Sequence, residues 1–291
     1  WQGGIVLKRS QISSGGGDVS LYGYGAPNGS GVVNFDSTTI DAGSGQILID
    51  AKSAGIVAFL PGLHPSVLPN AVFELRSSYG STDAIRVVTD ATAATVNDPG
   101  AAIEGNFNLV ASGGGSITLS GRAKAGLAGL QVGTSYGSGK LNVLANTGNI
   151  WLDAGTNSIS FQNSGSSIYL GAKAATTVPT ATGNILLTAD SLNLASATSY
   201  ATTTGTLTIQ PTSSSFSSAV TSTGWVLNTG LTGLTVGSLT NTADITWASS
   251  NTVNGPIRIY GGNITLGSAI GTTNTSTGDV LLRGADINSA Y

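Results

Sequence analysis

Hydrophobic and polar positions alternate in one short unit that recurs along the whole chain. The unit is a glycine, any residue, an aliphatic or aromatic residue, any residue, and a second aliphatic residue. An alternation with a period of two places both apolar residues on one face of a short strand. We expect the leading glycine to supply a turn with positive φ. Copies begin at Gly3, Gly17, Gly45, Gly105, Gly115, Gly139, Gly148, Gly183, Gly205, Gly255, Gly262 and Gly278.

Repetition of the unit predicts the architecture. Candidate helices are interrupted by glycine, serine and threonine, so the chain is predicted to be all-β. A recurring strand-opening phrase is typical of stacked coils, each of which buries its apolar face against its neighbours. The sequence therefore predicts a right-handed parallel β-helix, a β-solenoid, with a lateral insertion. Coils of roughly 20 residues stacked at ~4.8 Å would make a rod on the order of 70 Å long.

Two stretches depart from the pattern. We assign residues 1–52 and 105–291 to β-helix coils, and residues 53–104 to an insertion or extra-helical loop. Residues 53–104 hold Pro61, Pro65 and Pro69, the only histidine and both glutamates. Residues 210–254 are rich in serine and threonine and form either a second excursion or coils. Degenerate coils are the alternative interpretation in both places.

The residue between the two apolar positions should face outward and be polar, but several copies of the unit break this rule. Either a folded-back segment of the chain covers these side chains, or they contact another molecule, such as a second copy packed laterally. We take them as a candidate interface. They are Val6, Leu48, Trp151, Tyr169, Leu186 and Leu281.

Composition narrows the functional classes. The 291 residues include no cysteine, a single histidine and only 9% charged residues, with a net charge of −3. The few basic residues are scattered, which gives no electrostatic footprint for nucleic acid, and no apolar run is long enough for a membrane span. A chain rich in serine, threonine and asparagine suits an extracellular, bacterial cell-surface location. The unit is present near both termini, so we expect the fold to continue in a longer chain or an end-to-end polymer.

Candidate chemistry is sparse. His64 would have to serve any Ser-His-Asp site, but it lies in a proline-rich stretch without a nucleophile motif. Most aspartates stand beside glycine, serine, threonine or asparagine, where Asx-turns explain them better than a Ca²⁺ or catalytic site. We predict no catalytic residue, no cofactor and no metal site. The densest acidic groups are Asp36, Asp41 and Asp50, and Asp83, Asp90 and Asp98.

The segments Gly183–Leu194 and Gly255–Leu266 resemble the repeats of filamentous-haemagglutinin-like exoproteins, the large bacterial adhesins secreted by the two-partner route. The resemblance implies a non-enzymatic structural or adhesive segment of a surface fibre. Its partners would be further copies of itself, laterally or end to end, or a glycan or protein on a host or cell surface. The alternative is a polysaccharide lyase or glycosidase on the same fold, which would need clustered acids, bases and aromatic platforms.

Overall fold

The computed structural model describes residues 3–25, 30–52, 58–59, 71–94, 97–135, 137–173, 181–193 and 198–289. These residues form strands and no helix, as the sequence predicts. In chain order the strands are β1 (Gly3–Leu7), β2 (Gln11–Ser13), β3 (Val19–Tyr24), β4 (Ser30–Asn34), β5 (Thr38–Asp41), β6 (Ile47–Lys52), β7 (Ala58–Phe59), β8 (Val72–Ser77), β9 (Asp83–Asp90), β10 (Ala101–Ile103), β11 (Gly105–Ala111), β12 (Ser116–Arg122), β13 (Ala128–Val132), β14 (Gly139–Ala145), β15 (Ile150–Phe161), β16 (Ser167–Leu170), β17 (Ile185–Asn193), β18 (Thr198–Ala201), β19 (Thr206–Gln210), β20 (Val220–Thr221), β21 (Trp225–Leu227), β22 (Gly233–Val236), β23 (Ile245–Trp247), β24 (Asn251–Val253), β25 (Ile257–Tyr260), β26 (Asn263–Leu266), β27 (Ile270–Thr272), β28 (Val280–Arg283) and β29 (Asp286–Ser289).

The strands form three faces around the core, and the strands within each face are parallel to one another. Face 1 contains β3, β6, β9, β12, β15, β17, β19, β22, β25 and β28 in that order. Face 2 runs from β2 through β5, β8, β11, β14, β16 and β18 to β21, with the pair β24–β27 at its far end. Face 3 takes the remaining strands and the second halves of β15 and β17. Every pairing is parallel, so the molecule is a parallel β-helix.

The register of face 1 stacks the repeated unit on itself. Ile117 pairs with Ile150, and Ile150 with Ile185, so the first apolar position forms one continuous inward column. Leu119, Leu152 and the second apolar positions form the next column. These side chains are almost fully buried. The alternation along the sequence is thus the alternation between core and surface, as predicted.

The leading glycines have a different role from the one predicted. Among the glycines that open the unit in the described residues, only Gly105 has a positive φ, 67°. A Cβ placed on Gly148 would instead collide with the carbonyl oxygen of Gly115, and one on Gly183 with that of Gly148. Glycine is therefore required because the backbones of successive coils approach too closely for a side chain.

The second position of the unit holds a polar ladder, formed by Ser116, Asn149, Asn184 and Thr206. Ser116 Oγ accepts a hydrogen bond from the Asn149 backbone N–H (3.0 Å). Asn149 Oδ1 accepts one from the Asn184 N–H (2.9 Å), and Asn184 Oδ1 one from the Thr206 N–H (3.0 Å). The side chains of Ser116, Asn149 and Asn184 thus each satisfy a backbone donor of the next coil at the corner before face 1.

The coils are longer than the sequence suggested. On face 1 the register steps from Ile47 to Ile85 in the longest coil, 38 residues, and from Ile185 to Leu207 in the shortest, 22 residues. The ten stacked strands of face 1 span about 43 Å at ~4.8 Å per step. The expected length of about 70 Å is wrong because residues in the corners and loops lengthen each coil without adding a step.

Much of the expected insertion belongs to the coils. Within 53–104, β8 lies between β5 and β11 on face 2, and β9 lies between β6 and β12 on face 1. An insertion covering that whole stretch is therefore wrong. Residues 53–57 and 60–70, with His64, Pro61, Pro65 and Pro69, lie outside the described residues. Residues 210–254 contribute β20 to β24 to the faces, so they are coils rather than an excursion.

The end of the described chain exposes part of its core. Val280 and Ile287 continue the columns of Ile257 and Ile264, but they are 48% and 51% exposed. No capping helix is found at either end of the described residues. Among the same residues, no helix is long and apolar enough to cross a membrane.

Candidate functional site

The six candidate interface residues fall on three different faces. Leu48, Trp151, Leu186 and Leu281 share one outward column of face 1, here called the outer column. Tyr169 faces outward on face 2, and Val6 lies on face 3. Trp151, Leu281 and Val6 are exposed, and the other three are partly buried. The six therefore do not make one continuous stripe.

Within the outer column only Trp151 and Leu186 are neighbours in register. Thr118 precedes this pair, and Thr208 follows it. Leu48 and Leu281 lie several coils away on either side. The contiguous apolar surface of face 1 at this column is thus a two-residue patch enclosed by threonines.

The indole of Trp151 is held in a fixed orientation. Its Nε1–H donates a hydrogen bond to Thr188 Oγ1 on the next coil (2.9 Å), and Thr188 Oγ1 donates to Asp153 Oδ1 (2.9 Å). The other oxygen of Asp153 forms an ion pair with Arg122. Thr188 and Asp153 are both buried. A buried, hydrogen-bonded network therefore positions an aromatic ring that is itself 41% exposed.

A shallow cleft of about 320 Å³ lies beside this ring, where the strands of face 1 begin. Trp151 and Leu186 provide its apolar side. The polar ladder residues Ser116, Asn149 and Asn184 line it too. Asp83 and Thr118 complete the polar rim, with Thr118 Oγ1 donating to Asp83 Oδ1 at 3.4 Å.

Several charged side chains of face 1 form ion pairs. Arg86 lies 3.7 Å from Asp83, and Lys52 lies 3.7 Å from Asp50. The two acidic groups singled out in the sequence are spread over turns and strands rather than assembled. Asp41 and Asp90 accept hydrogen bonds from backbone N–H groups two residues ahead, as the turn interpretation predicts.

Face 2 carries a second set of outward contacts. Tyr169 stacks on Tyr200 with ring centroids 5.1 Å apart, and Asn142 donates to Asn108 (2.7 Å) in the same column. Further along, Glu74 is buried between Arg76 and Lys173, whose Nζ lies 2.8 Å from Glu74 Oε1. Lys173 follows β16, so this pair ties the segment after β16 to a strand three steps away.

The surroundings displace the pKa values of several carboxyl groups, including Glu74, Glu104 and Asp98. Burial raises the pKa of Glu74, but the hydrogen bonds and charges of Arg76 and Lys173 outweigh it and the net pKa is lowered. Burial raises the pKa of Glu104, which a hydrogen bond from Thr134 offsets only in part. Burial also raises the pKa of Asp98. Within the described residues Glu104 Oε1 is buried without a hydrogen-bond partner.

Histidine, cysteine and acidic side chains do not gather into a group of three or more that could hold a metal ion anywhere in the described ranges. The chain has no cysteine, and His64 lies outside those ranges. No family model, curated protein or solved structure matches this chain. The class is therefore given by the fold alone, a parallel β-helix.

Sequence reasoning found Trp151 and Leu186 but missed the polar half of the cleft. Asn149 and Asn184 occupy the second position of the unit, where the pattern accepts any residue. A signal was present, since that position is often serine, asparagine or aspartate. Asp83 and Thr188 could not be found, because their place beside Trp151 depends on coil lengths of 32 to 35 residues that the sequence does not reveal.

Proposed function

We propose that this chain is a non-enzymatic structural and adhesive segment of an extracellular β-solenoid, part of a bacterial surface fibre or large adhesin. The observation that carries the proposal is the state of face 1. It is a ten-strand parallel surface on which an oriented aromatic ring is exposed, while Asp50, Asp83 and Asp153 are each held by a basic side chain. Such a surface is suited to binding a partner without catalysing a reaction on it.

The alternative, a polysaccharide lyase or glycosidase, needs carboxyl groups free to exchange protons or to attack. Asp153 is fixed by Arg122, Thr188 and the backbone N–H of Gly155. Asp83 and Asp50 each have a basic neighbour on the same strand. These contacts favour a structural role for Asp50, Asp83 and Asp153.

Retention of coated beads on cells and cleavage of polysaccharides can be measured with the same preparation of the chain. Beads coated with the full 291-residue chain are expected to remain on bacterial or cultured animal cells under flow, whereas beads coated with heat-denatured chain detach. Incubation with soluble neutral and uronic-acid polysaccharides is expected to release no new reducing ends and no unsaturated sugar. Release of such products, lost in Asp153→Asn or Asp83→Asn, would establish the enzyme instead.

A further inference from the structure

The cleft beside Trp151 combines an aromatic platform with side chains that can form further hydrogen bonds. The indole N–H is already bonded to Thr188, so the part of the ring available to a ligand is its face. A ring face offers an apolar surface with a partial negative charge. It suits a ligand that presents polarised C–H groups in a flat array.

The polar rim offers both donors and acceptors. The side-chain oxygens of Asn149 and Asn184 accept hydrogen bonds within the polar ladder. Their Nδ2 groups make no hydrogen bond to any part of the chain that the structure describes, which leaves amide donors at the cleft. Asp83, with a side chain 39% exposed, provides acceptor oxygens on the same rim.

Charge selects against an ionic ligand. Asp83 is the only acidic or basic side chain among the residues that line the cleft, and Arg86 lies 3.7 Å from it. A ligand of either sign would meet a largely compensated field, and burying an unpaired charge there would be unfavourable. The favoured ligand is uncharged, carries several hydroxyl groups and has one apolar face.

The size of the apolar patch disfavours a second copy of the chain. Stable protein interfaces bury about 800 Å² on each partner around an apolar centre. Here Trp151 and Leu186 are enclosed by Thr118 and Thr208. The cleft, about 320 Å³, lies at the small end of ligand sites. It has room for one or two sugar rings rather than a protein surface.

We infer that the Trp151 cleft binds a neutral saccharide, with a pyranose ring stacked on the indole and its hydroxyl groups bonded to Asn149, Asn184 and Asp83. This assignment rests on the proposed adhesive function and names the chemistry of its partner. Thr188 acts as a positioning residue, because it holds the indole from the next coil.

Calorimetric titration of the full chain tests the assignment, with maltohexaose, cellohexaose, xylohexaose and N-acetylchitohexaose as probes. At least one should bind saturably. Trp151→Thr should weaken it by about tenfold or more, and Trp151→Tyr, which keeps a ring, by less. Asn184→Ser should weaken binding several-fold without breaking the polar ladder, because Ser116 accepts the same type of bond. Leu281→Thr, in the same column but away from the cleft, is the matched control.

Two results would overturn the inference. One is that none of the four probes binds at about 10 mM, although the parent and all variants unfold at the same thermal midpoint and are therefore folded. The other is that binding survives Trp151→Thr unchanged. If Trp151→Thr instead abolishes self-association measured by sedimentation, the cleft is a contact between copies. In each case the adhesive proposal would still hold if coated beads remained on the cells and no polysaccharide were cleaved. Failure of the saccharide assignment can therefore be distinguished from failure of the proposed function.

Discussion

At the scale of single residues, the fold depends on positions where successive coils meet with almost no space between them. Most of the leading glycines lie against the backbone of the preceding coil, and the polar ladder beside them bonds one coil to the next. Serine, asparagine and aspartate can all serve in that ladder, since Asp18 Oδ1 accepts the N–H of Gln46 at 2.8 Å. The residue type at these positions is determined by the closeness of the backbones and by hydrogen bonding between coils rather than by a catalytic role.

Gly148→Ala should lower the free energy of unfolding by about 2 kcal/mol or more, because its Cβ would overlap the Gly115 carbonyl and force two coils apart. Gly17→Ala is the matched control: Gly17 opens the same unit, but nothing lies within 4 Å of the position of its Cβ. Urea unfolding of both variants measures the difference. Equal stability of the two would show that close stacking is not what the glycines provide.

Glu74 and Glu104 should respond to pH in opposite directions. The lowered pKa of Glu74 contributes stability above its ordinary value of 4.5, which is lost as the pH falls through the lowered pKa. The raised pKa of Glu104 means that stability is complete below the ordinary value and declines as the pH rises through the raised one.

Glu74→Gln should therefore destabilise the chain at pH 7 by about 1 kcal/mol, since its partners are half-exposed. Glu104→Gln should stabilise it by a similar amount, about 1 kcal/mol, by removing a buried charge with an unpaired oxygen. Both differences should vanish in acid. Unfolding curves between pH 3 and 8 give the test, and a loss of stability in Glu104→Gln at pH 7 would contradict it.

At the scale of strands, each element is a thin unit whose inward residues stack in columns and whose outward residues are free to vary. Leu187 is fully buried in face 1, whereas Leu186, its neighbour in sequence, points outward beside Trp151. The energetic roles of adjacent leucines are thus determined by strand parity.

Leu187→Ala should cost about 2–5 kcal/mol, because it leaves a cavity between coils that cannot collapse. Leu186→Ala should cost less than about 1 kcal/mol, because it removes only a partly exposed side chain. The pair is compared by thermal unfolding monitored by circular dichroism. A large loss in Leu186→Ala would mean that another segment of the chain covers this position, as one interpretation of the sequence proposes.

The strands and their inward faces could be predicted because a period of two leaves a direct trace in the sequence. Coil lengths could not be predicted, since corners and loops carry no period of their own. For that reason β8 and β9, which lack the leading glycine, were assigned to an insertion although they occupy regular places in the faces. Only part of the cleft could be predicted, for the same reason. Trp151 breaks the alternation within its own strand, so one strand is enough to identify it. Asp83 and Thr188 lie on other coils, and only the stacking of the coils brings them beside Trp151.

At the scale of the whole molecule, three faces of parallel strands share one continuous core, and the strand-to-strand hydrogen bonds of each face run between successive coils. A solenoid of this kind is stiff and presents its outward columns at fixed spacing. Its surface is nearly neutral, with 11 basic and 14 acidic residues in 291. These properties suit a scaffold that displays small contact sites, which is the central claim of the proposed function.

Immunogold electron microscopy of intact cells that make the protein, with antibody raised against the 291-residue chain, tests that claim most directly. We expect gold particles along filaments or a layer outside the cell, and no increase in label when the cells are made permeable. Label that appears only in permeabilised cells, or only on short dispersed particles in the medium, would contradict a structural and adhesive role at the cell surface.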